Sequence, residues 1–550
     1  MPKIRSAKTT TSAKATTSAK ATTPSSFSFY YHDSPAWQIL TWSEDVGILK
    51  WMLYIIVLFS LFIRCCIALW GYSGYDTPPK YGDYEAQRHW MELTLHVPIE
   101  QWYYYDLDWW GLDYPPLTAY VSWICGKIGS AIEPKWFTLD ESRGHESPDS
   151  KVFMRMTVLA SEYIIYIPAV YVFVKWYYKK STQKERLLYF FLIVMQPSLI
   201  LIDHGHFQYN SIMLGLTIWA INCYFYGYYV IGSMFFCLAL CFKQMALYYA
   251  LPVFFYLLGI CARDKNVGLN LFLKLAITVI VTVGILFFPF LGSVSDLQQA
   301  LIRIFPLYRG LWEDKVANFW CALNVIVKLR EIFQIHVLAK ISLLTTLLFS
   351  SFPSYVTFCL SYYSHQPSLS LCTLSAVSMA FFLFSFQVHE KSILLPLMPI
   401  TLLIGDEGWK MSKMVVWVNS VGLFSLYPLL KKDGLTIPYF VLFGLYNWFF
   451  SSSLSSTLFF RSTAFTTFSS SKLSVIAAML PLSTYMPITL FHLLELFLPP
   501  PQRYPDAYVV GNVVFCAGWF GMIYLGLVKW NLETLKQLER ERVTDTKKVD

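Results

Sequence analysis

The chain has 550 residues, of which 55% are hydrophobic and 14% are charged, and its formal net charge is +8. A soluble protein needs about 25% charged residues to cover its surface, so this composition excludes an ordinary soluble enzyme. Apolar runs close to the roughly 20 residues that span a bilayer recur along the whole sequence. We therefore expect an all-α polytopic membrane protein with about 12–14 transmembrane helices.

The N-terminal segment, residues 1–42, is polar and basic. Its first 30 residues carry five Lys or Arg and no acid, and they are rich in Ser, Thr and Ala. This composition predicts a disordered tail. The tail lacks the apolar core of a signal peptide, so the run Val46–Trp70 is expected to remain as the first span. By the positive-inside rule the tail is cytosolic.

The segment after this span, residues 71–114, has the opposite charge balance, with eight acids against two Lys or Arg. It is also dense in Trp and Tyr. Aromatic faces beside carboxylates suit a sugar ligand, but an interfacial aromatic belt with solvated acids has the same composition. Within it, Asp83–His96 is predicted to form an amphipathic surface helix, with Asp83 at its N-cap. Tyr84 and Trp90 would face lipid, with Met91 and Leu95, while Glu85, Arg88 and Glu92 would face water.

The topology that follows contains one conflict. Shorter apolar candidates such as Pro115–Ile132 and Leu187–Ile202 raise the number of spans, and simple alternation then puts the basic stretch Lys175–Arg186 on the lumenal side. Either one short segment is re-entrant or this loop breaks the positive-inside rule.

The remaining chain divides by composition. Residues 43–405 are expected to form the main transmembrane region, with a second lumenal loop at 293–318. Residues 406–528 add further spans, and 529–550 form a polar C-terminal tail. That tail, expected to be cytosolic like the N-terminus, contains Lys547 and Lys548. They match a dilysine retrieval signal of the endoplasmic reticulum, or are two chance lysines in a charged tail.

Several long sequence blocks resemble one enzyme family. They read YGDYEAQRHWMELT, WYYYDLDWWGLDYPPLTAY, LIDHGHFQYNS, CFKQMALYYA, RIFPLYRGLWEDKVANFWC and FSFQVHEKSILLPLMP. These blocks are similar to the asparagine-linked glycosylation α-1,3-glucosyltransferases of the endoplasmic reticulum, which have a GT-C-type fold. GDYEAQRHW and GLWEDKVANFWC resemble the branch that adds the first glucose to the nine-mannose dolichol-linked oligosaccharide. The sister branch adds the second glucose.

The resemblance implies the substrates and the chemistry. The donor would be dolichyl-phosphate-glucose, the acceptor the dolichyl-diphosphate-linked oligosaccharide, and the anomeric configuration would invert in one displacement. The general base of the family lies on the first lumenal loop, and the matching residue is Asp83, which as an N-cap could also be purely structural. No cofactor, no metal and no nucleic acid is expected.

Other residues are candidates for binding substrate. His389 and Lys391 end an apolar run and could contact phosphate, and Arg303 and Arg309 flank a second lumenal segment. Glu313 and Asp314 could bind sugar hydroxyls or pair with Lys315. Asp113 could orient the sugar or fix the turn before a proline pair. Glu390 and Trp90 are further candidates for contacting substrate. The block His204, His206, Gln208 and Asn210 is predicted to form a polar network near the site rather than a metal site.

A transporter or lipid flippase is the rival from another class. Such a protein should show internal repeats and ionisable groups at mid-membrane depth. The sequence has no convincing repeat, and most of its carboxylates lie in loops, so the glycosyltransferase interpretation is favoured.

Overall fold

The computed structural model describes residues 34–263, 265–306, 315–364, 369–406, 415–450 and 472–549. The predicted disordered tail lies largely outside these ranges. So do the binding candidates Arg309, Glu313 and Asp314. Within the described ranges the secondary structure is helical, without strands.

The first half of the chain contains these helices: α1 (Pro35–Asp45), α2 (Met52–Ala68), α3 (Asp83–His96), α4 (Pro116–Ile132), α5 (Pro148–Ser161), α6 (Ile167–Tyr177), α7 (Gln183–Val194), α8 (Pro197–Ile200), α9 (Asn210–Phe225), α10 (Tyr229–Phe242) and α11 (Ala250–Arg263). Two π-helical turns, Glu162–Tyr166 and Leu201–Phe207, continue α5 into α6 and extend α8. Short 3-10 turns are Leu49–Trp51, Ile99–Gln101, Pro134–Phe137 and Gln244–Tyr249.

The second half continues the helical bundle. It contains α12 (Lys265–Phe287), α13 (Val294–Ile304), α14 (Phe319–Ile326), α15 (Leu329–Ile332), α16 (Ile335–Tyr363), α17 (Leu371–Phe384), α18 (Leu394–Leu402), α19 (Val415–Ser425), α20 (Tyr427–Lys432), α21 (Thr436–Phe450), α22 (Lys472–Phe497) and α23 (Ala507–Val549). The 3-10 turns here are Phe288–Leu291 and Glu390–Ile393.

Seven helical segments of the described chain are long and apolar enough to cross a membrane, and further apolar helices are shorter. The roughly 12–14 transmembrane helices expected from the sequence include shorter apolar runs such as Val415–Leu430. This run folds as α19, followed by a break, and α20. Conversely, Gln183–Phe207 is one segment of 25 residues whose most apolar window is entirely buried. The fold is therefore the expected polytopic all-α bundle.

Contacts between loops define the two ends of this bundle. At one end, which we call the tail side, Lys184 in the first turn of α7 donates to Glu44 of α1 at 2.7 Å. At the other end, the site side, Arg155 of α5 donates to the carbonyl of Gly71, which follows α2. The segment between α2 and α5 therefore belongs to the site side.

The helix α4 does not cross between these ends. Thr118 in its first turn donates to the carbonyl of Phe242 on the site side. Just beyond its last turn, the carbonyl of Trp136 accepts from Arg88 of α3. Groups at both ends of α4 thus contact residues of the site side, which favours a helix that stays on that side over a crossing at Pro115–Ile132. If α4 is not counted as a crossing, the alternation of spans puts the basic stretch Lys175–Arg186 on the tail side, beside the N-terminal helix. This placement removes the conflict with the positive-inside rule.

The orientation predicted for α3 is wrong. The helix starts with Asp83 as its first residue, and Gly82 occupies the N-cap. Residues Tyr84 to Thr94 are all buried, including the side chains expected to face water. They are buried because α4 and the segment 134–147 cover the outer face of α3. The residue pattern of α3 alone does not indicate this covering layer.

An ion cluster replaces the expected solvated face of α3. Arg88 pairs with Glu85 and Glu92, each at 2.6 Å, and donates to Ser142 Oγ at 2.7 Å. Burial alone would raise the pKa of Glu92, but His89 and Arg88 outweigh it and lower this pKa to about 2. The cluster fixes the helix that carries Asp83.

Candidate active site

Asp83 lies at the site side where three segments distant in sequence meet. Its Oδ2 accepts from His206 Nε2 at 2.9 Å and from Gln208 Nε2 at 2.5 Å, and it pairs with Lys391 Nζ. The backbone N–H of Asp83 donates to Ser73 Oγ at 3.3 Å. The side-chain donors among the described residues all reach Oδ2, and the Asp83 side chain is 24% exposed.

His206 and Gln208 are positioned by an irregular backbone. The π-helical turn Leu201–Phe207 ends at Phe207, whose φ of 87° lies in the left-handed region that side chains rarely adopt. This bend turns the chain sharply between His206 and Gln208, so both side chains reach the same carboxylate oxygen. Strained residues of this kind cluster at functional sites.

Lys391 approaches from the other half of the chain. The 3-10 turn Glu390–Ile393 follows α17 and directs its amine to Asp83, with Lys391 Nζ also 3.2 Å from His206 Nε2. Burial by itself would raise the pKa of the Asp83 carboxyl. The charges and hydrogen bonds of Lys391 and His206 outweigh burial and hold the pKa well below its usual range. Asp83 is therefore a carboxylate at neutral pH.

A second carboxylate contacts the same imidazole. Asp433 Oδ2 lies 2.5 Å from His206 Nδ1, and the Asp433 side chain is buried. His206 therefore bridges Asp83 and Asp433. Asp433 is not among the residues predicted from the sequence, although one signal points to it: a charged residue followed by Gly434 ends the apolar run of α19 and α20.

The predicted polar network extends behind these groups. Lys243 Nζ donates to Asn210 Oδ1 at 2.7 Å and to Gln208 Oε1 at 3.3 Å. Asp203 in turn accepts from the Asn210 amide at 2.9 Å. Burial, followed by the charge of Lys391, lowers the pKa of Lys243 to about 8. The network holds Gln208 in place against Asp83.

His204 belongs to a separate buried cluster. Its Nε2 lies 2.5 Å from Glu162, which also pairs with Arg64 at 2.6 Å. All three side chains are buried within the bundle. His204 therefore links α2, the π-helical turn after α5 and the turn after α8, and does not reach Asp83 directly.

The remaining binding candidates lie around the site at different depths. His389 is exposed at the site side, with its Nδ1 3.6 Å from Glu390. Arg303 donates to the carbonyls of Gly111 and Leu112, so it ties α13 to the backbone just before Asp113. The Asp113 carbonyl lies 3.5 Å from the Gln244 amide.

Trp90 is only 4% exposed and packs in a hydrophobic cluster of the unit 71–147. Its indole N–H donates to the Trp110 carbonyl at 2.9 Å. This burial favours a packing role over contact with a sugar ring. In the described residues no group of three or more His, Cys, Asp or Glu is arranged to hold a metal ion.

The site therefore combines three features. It has an ionised carboxylate with one oxygen held by three side chains. It has the Lys391 amine and the His206 imidazole within reach of that carboxylate, and it lies at one end of an apolar bundle. Such an arrangement can remove a proton from a hydroxyl and neutralise an anionic leaving group that is anchored in the membrane.

Comparisons with known proteins agree with this chemistry. A model of the "ALG6, ALG8 glycosyltransferase family" matches residues 49–527. A Schizosaccharomyces pombe protein named "Probable dolichyl pyrophosphate Man9GlcNAc2 alpha-1,3-glucosyltransferase" is 45% identical over 501 residues, covering 90% of this chain and 94% of that protein. A Saccharomyces cerevisiae protein named "Dolichyl pyrophosphate Man9GlcNAc2 alpha-1,3-glucosyltransferase" is 44% identical over 528 residues, covering 91% of this chain and 96% of that protein. The Gallus gallus protein is 42% identical over 87% of this chain and 97% of its own.

Proposed function

The chain belongs to the ALG6, ALG8 glycosyltransferase family, and from this premise we propose that it transfers glucose in α-1,3 linkage to dolichyl-pyrophosphate-linked Man9GlcNAc2. The observation that carries the proposal is the similarity to proteins of that name along nearly their whole length. The family resemblance read from the sequence blocks is confirmed, and the transporter alternative is set aside.

The proposed donor is dolichyl-phosphate-glucose. In one step, the hydroxyl at position 3 of the terminal mannose attacks the anomeric carbon, and the bond between that carbon and the phosphate oxygen breaks. Dolichyl phosphate leaves, and the hydroxyl proton passes to Asp83. The support for this role is that Asp83 is ionised and that the described donors hold only its Oδ2. A base within hydrogen-bond reach of the hydroxyl contributes typically about 100- to 10,000-fold.

Lys391 is proposed to exchange partners during the reaction. In the structure it pairs with Asp83. The donor phosphodiester carries one negative charge, as the carboxylate does, and it gains a second as the glycosyl bond breaks. Moving Lys391 from Asp83 to the phosphate stabilises the leaving group. The same movement makes Asp83 more basic at the moment when it must accept a proton.

The proposed placement is the endoplasmic reticulum membrane, with the site lumenal and both termini cytosolic. Its support is the distribution of charge between the two ends of the bundle. The basic stretch Lys175–Arg186 lies on the tail side with α1, whereas the acidic segment 71–114 lies on the site side. Positive loops favour the cytosol, so the site side faces the lumen.

A transfer assay with purified protein in lipid tests the proposed function. The protein is supplied with dolichyl-phosphate-glucose and, in separate reactions, with the Man9GlcNAc2 or the monoglucosylated lipid-linked acceptor. We expect one glucose to be added to the first acceptor and none to the second, with equal rates in the presence of a chelator. Transfer to the monoglucosylated acceptor alone would assign the protein to the second step. A chelator-sensitive rate that a divalent cation restores would overturn the metal-free mechanism.

Replacing Lys391 by Met should change the pH dependence of the reaction. In the wild type, the low pKa of Asp83 keeps the base ionised at neutral and mildly acidic pH. Protonation of Asp83 therefore lowers the activity only when the pH falls to this low pKa. Without Lys391, the largest charge that opposes the effect of burial is gone, and the Asp83 pKa rises. We expect the acidic limb of kcat/KM to move up by about one pH unit or more, together with a lower maximal rate.

The matched control for this variant is Lys80→Met, which removes an exposed lysine from the loop that carries Asp83. It should leave both the profile and the maximal rate unchanged. If Lys391→Met lowers the rate but its acidic limb superimposes on that of the wild type, Lys391 contacts only the donor and does not control Asp83.

A further inference from the structure

We propose that Asp433 is a positioning residue for the transfer reaction, acting on Asp83 through His206. The inference rests on the proposed role of Asp83 as the base. Asp433 lies in the turn between α20 and α21, a part of the chain without a motif of its own, and about 350 residues from Asp83 in sequence.

The contact between Asp433 and His206 is short and enclosed. Asp433 Oδ2 lies 2.5 Å from Nδ1, and both side chains are buried. On the opposite edge of the ring, Nε2 lies 2.9 Å from Asp83 Oδ2. One imidazole therefore spans the distance between the two carboxylates, so any rotation of the ring would break both contacts.

The backbone around Asp433 is held against the same region. A Cβ added at Gly71, where the first loop begins, would lie 3.0 Å from the Asp433 carbonyl oxygen. A Cβ added at Gly205, next to His206, would lie 2.9 Å from the Leu435 side chain. Arg155 donates at 2.9 Å to the carbonyls of both glycines. The turn that carries Asp433, the loop that carries Asp83 and the π-helical turn that carries His206 are thus packed as one unit.

The chemistry of the ring explains why a second carboxylate matters. Carboxylates only accept hydrogen bonds, so His206 satisfies both partners only when each ring nitrogen carries a proton. Lys391, 3.2 Å from Nε2, opposes that second proton, and the charge of Asp433 offsets this repulsion. Once Lys391 has moved to the donor phosphate, His206 remains as the cation that holds Oδ2. Oδ1 then stays directed at the acceptor hydroxyl.

Without the charge of Asp433, the imidazole can lose one proton and present a lone pair to Asp83. The carboxylate would then lose its fixed orientation, although both substrates could still bind. Partners that orient a functional histidine are typically worth about 10- to 100-fold in activity. We therefore expect Asp433→Asn to lower kcat by that factor, with KM for donor and acceptor changed less than about threefold and an unchanged unfolding midpoint.

A purely structural role would give a different result. If Asp433 serves only to build its turn, Asp433→Asn leaves kcat unchanged in the protein that does fold, and this result overturns the proposal. The matched control is Glu495→Gln on the neighbouring helix α22. Glu495 pairs with Lys431 at 2.9 Å and accepts from Tyr427 at 2.7 Å, within the same short region, but does not contact His206. It should leave kcat unchanged.

A double-mutant comparison gives the sharpest test. If Asp433 acts through His206, adding Asp433→Asn to His206→Gln should cost nothing further, because the ring through which it acts is already gone. Losses that multiply would overturn the proposal. If Asp433→Asn does not fold, Asp433→Glu decides the question instead. The longer side chain keeps the charge but pushes against a fixed ring, so a several-fold lower kcat at constant KM supports positioning, and an unchanged kcat refutes it.

A result that removes Asp433 from the mechanism can be distinguished from one that removes the proposed base, Asp83. An inactive Asp83→Asn protein combined with a fully active Asp433→Asn protein removes Asp433 from the mechanism and leaves the base in place. An active Asp83→Asn protein would instead remove the base, and the role of Asp433 with it.

Discussion

Replacing Asp83 by Asn is expected to lower kcat by about 100- to 10,000-fold, the usual contribution of a general base. The amide has almost the same shape as the carboxylate, so its oxygen can still accept from His206 or Gln208. It cannot take a proton from the mannose hydroxyl. The expected signature is therefore a loss in kcat, with KM values close to those of the wild type, measured by glucose transfer to the Man9GlcNAc2 acceptor lipid.

The control is Asp108→Asn, which changes an exposed carboxylate in the same segment 71–114. Its activity should remain within about twofold of the wild type, because exposed surface groups away from the site contribute little. Thermal unfolding of both variants in detergent would establish that each is folded. Activity of the Asp83→Asn protein within a few-fold of the wild type would show that another group, or the leaving phosphate itself, takes the proton.

The sequence predicted the components of the site better than their arrangement. Asp83, His206 and Lys391 each lie in a block that could be recognised, and each was a candidate for the site. Their mutual contacts could not be read from these blocks, because the three residues are separated by more than a hundred positions. Only the packing of α3, the turn after α8 and the turn before α18 brings them together.

Asp433 illustrates a different limit. It follows an apolar run in a region without a recognisable sequence motif, and a single aspartate before Gly434 usually indicates no more than a turn. Its importance comes from the buried ring that it contacts. The C-terminal spans therefore do more than extend the bundle, since one of their turns completes the surroundings of the candidate base.

The sequence left the role of α4 in the topology ambiguous for a physical reason. Pro116–Ile132 is apolar and 17 residues long, so hydropathy alone treats it as a possible crossing. Its apolar surface is instead covered in part by α3: a Cβ added at Gly126 would lie 2.9 Å from the Met91 carbonyl. Hydropathy measures the need for burial but does not distinguish burial in lipid from burial against another helix.

The same covering layer leads to the second large expected effect, on stability. Arg88→Met should destabilise the protein by about 3–5 kcal/mol, because it leaves Glu85 and Glu92 buried without their cation. The side chains of all three residues are at most 3% exposed. The measurement is the thermal unfolding midpoint of purified protein in detergent, which should fall well below that of the wild type.

The chain provides a matched control in Arg143, which lies in the same unit 71–147 and also pairs with two acids, Asp106 and Asp140. Its side chain is 36% exposed, and exposed pairs are worth about 0–1 kcal/mol, so Arg143→Met should barely move the midpoint. Equal shifts for the two variants would contradict the assignment of Arg88 as the buried centre of this unit.

The pH dependence of the Arg88→Met variant identifies the cause of its destabilisation. In the wild type, Arg88 and His89 hold the Glu92 pKa at about 2, below its value in the unfolded chain, so the contribution of Glu92 is present at neutral pH and is lost only in strong acid. In the variant, the charge of Arg88 no longer opposes burial, so the Glu92 pKa rises. The folded variant then binds a proton more readily than the folded wild type, so the deficit against the wild type should shrink as the pH falls through the raised pKa. A deficit independent of pH would mean that lost packing around the arginine, rather than the unpaired carboxylates, destabilises the helix that carries Asp83.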